Sequence, residues 1–239
     1  MAENPDDKKT IAFVVYPGMT PLDMVGPLTV LEGMASTVPE YRTVVVGETK
    51  EPIDTDNPLK LAASHTYEEV PSPYAVLLPG GAAPTLKALA DEKLVEYVRT
   101  ASANAELVTS VCTGSLVLGQ AGLLEGRRAA THWMFRDLLR AFGAEPVAER
   151  WVEDGNVITA AGVSAGIDLA LHLVERLVGA EIARTIQFVI EYDPEPPQGA
   201  LDWTKRPYGD LKPMLDYTVK EALANEPALR DKLLAHTGG

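Results

Sequence analysis

The single cysteine of the 239-residue chain lies at a position that favours chemistry over packing. A run of β-favouring residues, Leu107–Val111, leads directly into Cys112-Thr113-Gly114-Ser115 and a short apolar helix that is predicted to end near Gln120. A free cysteine is most often a small buried hydrophobe. Here the pattern predicts the strand-turn-helix geometry of a nucleophile elbow, with sulfur in place of the usual serine oxygen. The N-terminus of the following helix is expected to lower the thiol pKa from ~8.5 towards ~3.5–7.5, which favours the reactive thiolate.

An acidic residue early in the chain could supply a proton to the substrate of such a thiolate. Asp23 is placed in the first turn of a helix predicted to run to about Ala35. Acidic residues are common there because they complement the helix dipole. A carboxyl near a negative sulfur is also pushed towards its protonated form, in which it can donate. Asp23 is therefore a candidate catalytic residue beside Cys112.

Two adjacent glycines could bring the backbone close to the reacting atoms. Gly80 and Gly81 follow the apolar run Ala75–Leu78 and Pro79. Such glycines commonly serve only to turn the chain. In the functional alternative, the N–H groups of Gly81 and Thr113 donate to developing negative charge, and the Thr113 hydroxyl steers the reactant. The sequence leaves both interpretations open.

The four histidines do not form a metal-binding pattern. None is spaced suitably from another His, a Cys or a carboxylate pair, so we expect no metal site. His132 could line the site of Cys112, although a structural histidine is the commoner case. The chain also lacks a dinucleotide fingerprint and a phosphate-binding Gly-x-x-x-x-Gly-Lys segment, so we expect no cofactor.

Strand-like and helix-like segments alternate along most of the chain. The apolar, β-branched runs typical of buried strands are Ile11–Tyr16, Thr43–Val46, Ala75–Leu78 and Leu107–Val111. Segments with helical spacing of apolar residues, besides those after Asp23 and Cys112, are 84–90, 91–103, 134–142, 167–178 and 181–192. Residues 151–161 are predicted to form a hairpin that turns at Asp154-Gly155-Asn156. This alternation predicts an α/β fold with a mostly parallel sheet, whose ligands bind at the carboxyl ends of its strands.

The composition changes after Tyr192. Residues 193–199 are rich in proline, which removes backbone donors and breaks helices. We expect an extended arm there, followed by a helical segment from about Pro213 to Ala235. The chain is thus expected to form one domain over residues 1–239, with 193–239 as its C-terminal arm and helical appendage.

The charge balance limits the possible partners. Acidic residues outnumber basic ones by 34 to 21, and the net charge is −13. Such a surface repels phosphate backbones, so no nucleic-acid partner is expected. The polar start, Met1–Thr10, has no signal-peptide core, and no apolar stretch approaches the length that spans a bilayer. Since a lone cysteine forms no intrachain disulfide, we expect a cytoplasmic protein that does not bind membranes.

Taken together, these residues resemble the ThiJ/PfpI superfamily, a branch of the class I glutamine amidotransferase-like fold. The similarity extends from Ile11 to about Tyr192. The segments that carry it are Tyr16–Pro27, Leu78–Gly81, Val111–Gly114, Ala121–Gly126 and Ala161–Asp168. Many members place a glutamate beside the cysteine. Here the matching acidic residue is Asp23, in an Asp-x-x-Gly-Pro setting.

The resemblance implies a flavodoxin-like three-layer sandwich. Asp23, Thr113 and the proline-rich 192–197 stretch are similar in particular to the isonitrile-hydrating members. They imply a cofactor-free, homodimeric enzyme with Cys112 as nucleophile, which adds water to an isonitrile and gives an N-substituted formamide through a covalent thioimidate.

Three alternatives belong to other functional classes. The ligand-sensing half of AraC-type regulators is similar over the same segments, but a DNA-binding region is about a hundred residues long. Only the non-basic residues 193–239 follow here, which disfavours a regulator. A glyoxalase or deglycase-like enzyme, or a redox sensor that oxidises Cys112, stays open.

Overall fold

The computed structural model describes residues 8–207 and 209–237. Its strands are β1 (Lys9–Val14), β2 (Tyr41–Gly47), β3 (Ile53–Asp54), β4 (Lys60–Leu61), β5 (His65–Thr66), β6 (Ala75–Leu78), β7 (Leu107–Ser110), β8 (Arg128–Ala129), β9 (Glu145–Pro146), β10 (Trp151–Asp154) and β11 (Val157–Ala160). Its α-helices are α1 (Pro21–Thr37), α2 (Ala83–Ala88), α3 (Glu92–Ser102), α4 (Gly114–Gln120), α5 (Ala165–Val178), α6 (Ala180–Val189), α7 (Lys212–Ala222) and α8 (Pro227–Leu234). Two 3₁₀ helices cover Trp133–Phe142 and Trp203–Lys205.

Seven of the strands form one sheet, in the order β10-β11-β7-β6-β1-β2-β5. All neighbours are parallel except β10, which pairs antiparallel with β11. The turn between these two strands contains Gly155 at a positive φ of 66°. The predicted α/β fold, its mostly parallel sheet and the 151–161 hairpin are therefore confirmed.

The helices lie in two groups on the sheet. Helices α1, α5 and α6 pack against one another, whereas α4 packs against α3 and the longer 3₁₀ helix. The connection from β1 leads to its neighbour β2 in one direction along the sheet, and the connection from β6 leads to its neighbour β7 in the opposite direction. Because parallel crossovers are right-handed, the two opposite directions place α1 and α3 on opposite faces. The result is the expected three-layer arrangement.

The central strands carry the largest side chains of the core. Phe13 on β1 and Leu77 and Leu78 on β6 have no exposed surface. Burial of each such side chain contributes about 1.5–3 kcal/mol. These strands therefore form a rigid base for the loops at their carboxyl ends. The reversal of direction between β1 and β6 creates the crevice in which open α/β sheets bind ligands.

The structure adds detail to the sequence prediction in three places. The helix predicted over 134–142 is present as a 3₁₀ helix, which ends at Gly143 with a φ of +72°. The C-terminal helical segment is two helices, because Pro227 cannot continue α7 and instead begins α8. The two-residue strands β3, β4, β5, β8 and β9 were not predicted, since such short elements have no periodicity.

The described residues include no helix that is long and apolar enough to cross a membrane. The prediction that the start of the chain lacks a secretion signal falls mostly on residues 1–7, which lie outside the described residues.

Candidate active site

Cys112 forms the tip of a tight turn between β7 and α4. Its φ is +57°, a value that non-glycine residues adopt rarely and at a cost in energy. The Cys112 N–H donates to the Ala161 carbonyl at 3.0 Å. Its carbonyl accepts hydrogen bonds from the hydroxyls of Thr131 at 2.9 Å and Ser115 at 3.3 Å. Because both backbone groups are held, the turn fixes the direction of the thiol.

The close packing around this turn depends on two glycines. A Cβ on Gly114 would lie 2.3 Å from the Leu78 carbonyl oxygen. A Cβ on Gly80 would lie 2.4 Å from the Thr113 nitrogen and 2.9 Å from the Cys112 Cβ. The absence of a side chain at these positions lets the β6 loop approach the nucleophile.

Gly114→Ala is expected to destabilise the protein by about 2–4 kcal/mol, because the new methyl group meets rigid backbone. Gly33→Ala in α1 is the matched control. Its added Cβ would find only ordinary contacts at 3.5 Å or more, so we expect a stability change within about 1 kcal/mol. Urea unfolding of both variants measures the difference, and equal stabilities would contradict the tight packing at Gly114.

Asp23 lies in the first turn of α1 and has no exposed surface. Its Oδ2 accepts a hydrogen bond from the Gly80 N–H at 2.9 Å. Its Oδ1 is buried and has no hydrogen-bond partner among the described residues. Since an unsatisfied buried oxygen costs free energy, this atom is poised to bind a proton, a water molecule or a reactant.

The pKa of Asp23 is raised towards neutral pH. Burial raises the pKa of Asp23 to about 7, although the Gly80 N–H and the Cys112 thiol both act to lower it. The nearby negative charge of Asp56 raises it further. A carboxyl with such a pKa is divided between its two protonation states at pH 7, as general acid–base catalysis requires.

The thiol itself departs from the sequence prediction. Burial raises the pKa of Cys112 well above its ordinary value, and the charge of Asp23 raises it again. The Thr113 backbone N–H opposes these effects by favouring the thiolate, but it is the weaker influence. The predicted lowering of the thiol pKa is therefore wrong for this resting arrangement, because the sulfur is only 4% exposed and desolvation dominates.

The two raised pKa values mean that the pair Cys112–Asp23 carries at most one negative charge near neutral pH. That charge can reside on the carboxylate beside a thiol, or on the sulfur beside a carboxylic acid. The two forms differ only in the position of one proton, so they titrate as one coupled unit. The second form contains both a nucleophile and a proton donor.

The structure brings Gly80, Gly81 and Thr113 to the same edge of the sheet, but it changes their expected roles. The Gly81 N–H donates to the Thr113 hydroxyl at 3.0 Å, and the Ala82 N–H donates to the same oxygen at 3.1 Å. The Gly81 N–H is therefore engaged and is not a free donor to a reactant. The buried Thr113 hydroxyl ties the two loops together. Both the backbone N–H and the side chain of Thr113 act on the Cys112 sulfur and favour the thiolate.

A buried hydroxyl chain continues from Thr113. Its oxygen lies 2.7 Å from that of Thr85, which lies 2.9 Å from the Tyr16 oxygen. Tyr16 donates to the Pro79 carbonyl at 2.9 Å. Because Tyr16 donates to Pro79, its oxygen can accept the Thr85 proton, and either oxygen can donate in the hydrogen bond between Thr113 and Thr85. Sequence reasoning missed Thr85 and Tyr16, since no local pattern marks them.

His132 is the least supported of the predicted site residues. It is the N-cap of the 3₁₀ helix, where its Nδ1 accepts the Met134 N–H at 3.4 Å. Burial lowers its pKa, which favours the neutral ring. A Cβ on Gly162 would lie 2.2 Å from its Cδ2, so the ring packs on the loop before α5. Its hydrogen bond to Met134 and its packing on Gly162 fit a structural role.

Asp56 is a further residue that sequence reasoning missed. Its carboxylate accepts a hydrogen bond from the Thr20 hydroxyl, and its N–H donates to the Met19 carbonyl at 3.2 Å. The Thr20 N–H in turn donates to the Gly80 carbonyl at 2.8 Å. The loop that carries Asp56 thus holds the turn before α1 against the Gly80 loop and places a negative charge near Asp23.

Within residues 8–207 and 209–237, no group of three or more His, Cys, Asp or Glu side chains is arranged to hold a metal ion. The groups that the structure gathers at the site are a thiol, a carboxyl, hydroxyls and backbone N–H groups.

Comparison with known proteins places this site in a family. Residues 9–176 match the profile of the DJ-1/PfpI family. The chain is 42% identical over 189 residues to isonitrile hydratase of Pseudomonas putida, covering 78% of this chain and 80% of that protein. It is 30% identical over 185 residues to the HTH-type transcriptional regulator CdhR of Pseudomonas aeruginosa, covering 74% of this chain and 54% of the regulator.

Solved structures agree with this placement. A ThiJ/PfpI family protein from Pseudomonas syringae superposes with a TM-score of 0.81 at 34% identity, covering 100% of this chain and 98% of the other. DJ-1 of Schizosaccharomyces pombe superposes with a TM-score of 0.63 at 19% identity, covering 77% of this chain and 100% of the other. At this identity the similarity concerns the fold alone. The parallel sheet, the turn that carries Cys112 and the family profile agree, and the chain therefore belongs to the DJ-1/PfpI family.

Proposed function

We propose that this protein is an isonitrile hydratase, a cofactor-free lyase that converts R–N≡C and water to the formamide R–NH–CHO. The observation that carries the proposal is the Cys112 thiol on its strained turn beside the buried Asp23 carboxyl, since each group shifts the pKa of the other and the carboxyl titrates at about 7. The 42% identity to isonitrile hydratase of Pseudomonas putida supports the same substrate class.

The first half of the proposed reaction forms a covalent intermediate. The Cys112 sulfur attacks the terminal carbon of the isonitrile while the protonated Asp23 carboxyl donates its proton to that carbon. The sulfur supplies the electron pair of the new C–S bond, and the lone pair on carbon forms the new C–H bond. One C–N π bond becomes the lone pair on nitrogen, and the product is the thioimidate R–N=CH–S–Cys. No oxidant or reductant is required.

The second half releases the product. The Asp23 carboxylate accepts a proton from water as the water oxygen attacks the thioimidate carbon, and this proton passes to the substrate nitrogen. Collapse of the adduct breaks the C–S bond and forms the formamide carbonyl, and the hydroxyl proton returns to the Cys112–Asp23 pair. One carboxyl thus serves as acid and then as base, a role typically worth 10²–10⁴-fold in rate.

The burial of the site suits this substrate class. Cys112 is nearly covered and Asp23 is completely covered, so a reactant that enters must lose most of its hydration. An uncharged, weakly hydrated N≡C group loses little by this transfer, whereas a charged group would lose a great deal.

Incubation with phenyl isocyanide tests the proposal. We expect N-phenylformamide, and in H₂¹⁸O the product should carry one heavy oxygen. Methylglyoxal in a parallel assay distinguishes the glyoxalase alternative, and the intact mass after mild peroxide distinguishes a redox sensor. Absence of formamide from the freshly purified protein, with lactate formed from methylglyoxal, would overturn the assignment.

The rate of the proposed reaction should depend on pH through Asp23. Below pH 7 the pair gains a second proton and loses its nucleophile, so kcat/KM is expected to fall about tenfold per pH unit. Above pH 7 kcat/KM should reach a plateau, because the raised pKa of Cys112 keeps the one remaining proton on the pair. A profile of kcat/KM between pH 5 and 9 measures this, and a half-maximum near pH 4 would contradict a buried, displaced carboxyl.

We further propose that the protein acts as a homodimer. Exposed apolar side chains lie on two helices that pack together, with Leu22 and Val25 on α1 and Phe188 and Val189 on α6. Their burial between two copies would stabilise a dimer. Light scattering should give roughly twice the 25.7 kDa of the chain, and a monomer mass would contradict it.

A further inference from the structure

A cavity of about 210 Å³ lies between the 3₁₀ helix Trp133–Phe142 and the segment that leads into α7. Two arginines from these distant parts of the chain, Arg136 and Arg206, line it. The Arg206 guanidinium lies over the Trp133 ring, 5.9 Å from its centroid. The cavity thus joins two cationic groups to an aromatic wall.

The two arginines lack anionic partners. Among the described residues, neither forms an ion pair within 4.0 Å, and the buried Nε of Arg136 has no hydrogen-bond partner. Burial lowers the pKa of Arg136, and the positive charge of Arg206 lowers it further. The cavity thus has two like charges, one on the exposed Arg206 and one on the partly buried Arg136, whose buried Nε–H is unsatisfied.

The other charged groups at the cavity do not remove this imbalance. Lys212 is held by Asp216 at 2.8 Å, and the Asp210 carboxylate accepts the Lys212 backbone N–H at 2.9 Å. Asp137 favours the charged form of Arg136 but forms its own contact with Arg140 at 4.0 Å. The unpartnered guanidinium N–H groups therefore remain available.

Most of the uncharged lining is apolar. Pro207, Leu211 and Leu215 contribute to the wall together with Trp133. A ligand that satisfies this surface needs an anionic end and a small apolar body. The planar carboxylate matches the fork of guanidinium N–H donors better than a spherical anion does.

We propose that this cavity is a binding site for a small organic carboxylate, which accepts hydrogen bonds from Arg136 and Arg206 and rests its apolar part on Trp133. The site shares no lining residue with the Cys112–Asp23 pair. It is thus an additional function of the chain and does not depend on the hydration of isonitriles.

Titration calorimetry of the full chain with benzoate tests the site. We expect one saturable event per chain with a dissociation constant on the order of 1 mM or below, as its few heavy atoms allow. Acetate, which lacks the apolar body, should bind at least about tenfold more weakly, and inorganic phosphate should do the same. Cys112→Ala should bind benzoate as the wild type does, which separates this site from the catalytic proposal.

Arginine variants decide between a binding role and a structural one. Arg136→Gln and Arg206→Gln should each weaken benzoate binding at least about tenfold, because a charge-assisted hydrogen bond is lost. Arg184→Gln, which removes an exposed arginine from α6, is the matched control and should leave binding unchanged. Without ligand, Arg206→Gln should keep or raise the melting temperature, because it relieves repulsion. Wild-type affinity in both cavity variants, or no saturable binding of benzoate, would overturn the proposal.

Discussion

Cys112→Ala is expected to abolish formamide production, with a loss in kcat of at least about 10³-fold. The proposed reaction has no other nucleophile, since the chain contains one cysteine. Product detection by mass spectrometry over long incubation measures the residual rate. The same experiment should show no covalent adduct on the variant, whereas the wild-type protein quenched during turnover should gain the mass of the isonitrile.

Two further variants separate chemistry from folding. Cys112→Ser keeps a similar side chain at the strained turn but replaces the thiol by a far weaker acid, so it should also be inactive. Ser102→Ala is the control: it removes a buried hydroxyl of α3 that has no hydrogen-bond partner among the described residues, and this variant should keep full activity. An active Cys112→Ala enzyme would end the covalent mechanism.

Asp23→Asn is expected to reduce kcat/KM by about 10²–10⁴-fold, because the amide can neither donate a proton to carbon nor activate water. The amide oxygen can still accept the Gly80 N–H, so the loop should stay in place. Asp231→Asn, at an exposed carboxylate on α8, is the matched control and should be fully active. Wild-type kinetics in Asp23→Asn would remove this residue from the mechanism.

The same substitution should change how stability depends on pH. The folded-state pKa of Asp23 lies near 7 and its ordinary value is 3.8, so the folded protein holds an extra proton between these values. Stability therefore falls as the pH rises from about 4 to about 7, by about 1.4 kcal/mol per pH unit and about 4 kcal/mol at most. Asp23→Asn removes this dependence. Relative to the wild type, the variant should gain stability from pH 4 to pH 8 in urea unfolding, and a constant difference would contradict the displaced titration.

The elements that carry the site could be predicted from the sequence because their patterns are local. The run before Cys112 and the Thr-Gly after it define a strand, a turn and a helix, and Cys112 indeed has a positive φ. The alternation of apolar runs with helical spacing predicted the parallel sheet. Asp23 depended on the resemblance, since an acidic residue in the first turn of a helix has an ordinary structural role.

The properties of the site that were missed depend on distant parts of the chain. The thiol pKa is governed by burial, which no spacing reveals, and so its direction was predicted wrongly. The Gly81 N–H and the Thr113 hydroxyl bind each other because β6 and β7 are neighbours. The spacing of apolar residues predicted a helix over 134–142 but not its 3₁₀ form, because its apolar positions suit either form. Asp56 lies in the loop between β3 and β4, and these strands of two residues each are too short to be predicted from the sequence.

The two ends of the sheet bear on how copies of this chain can associate. At one end β5 contributes only two paired residues, so an incoming strand would find almost no ladder to extend. At the other end the backbone and side chain of Asp154 in β10 are occupied by Arg127 and Arg128. Edge-to-edge growth into fibrils is thereby discouraged at both margins. The outer helical layers, which carry the exposed apolar side chains of α1 and α6, remain as the surfaces for the proposed dimer.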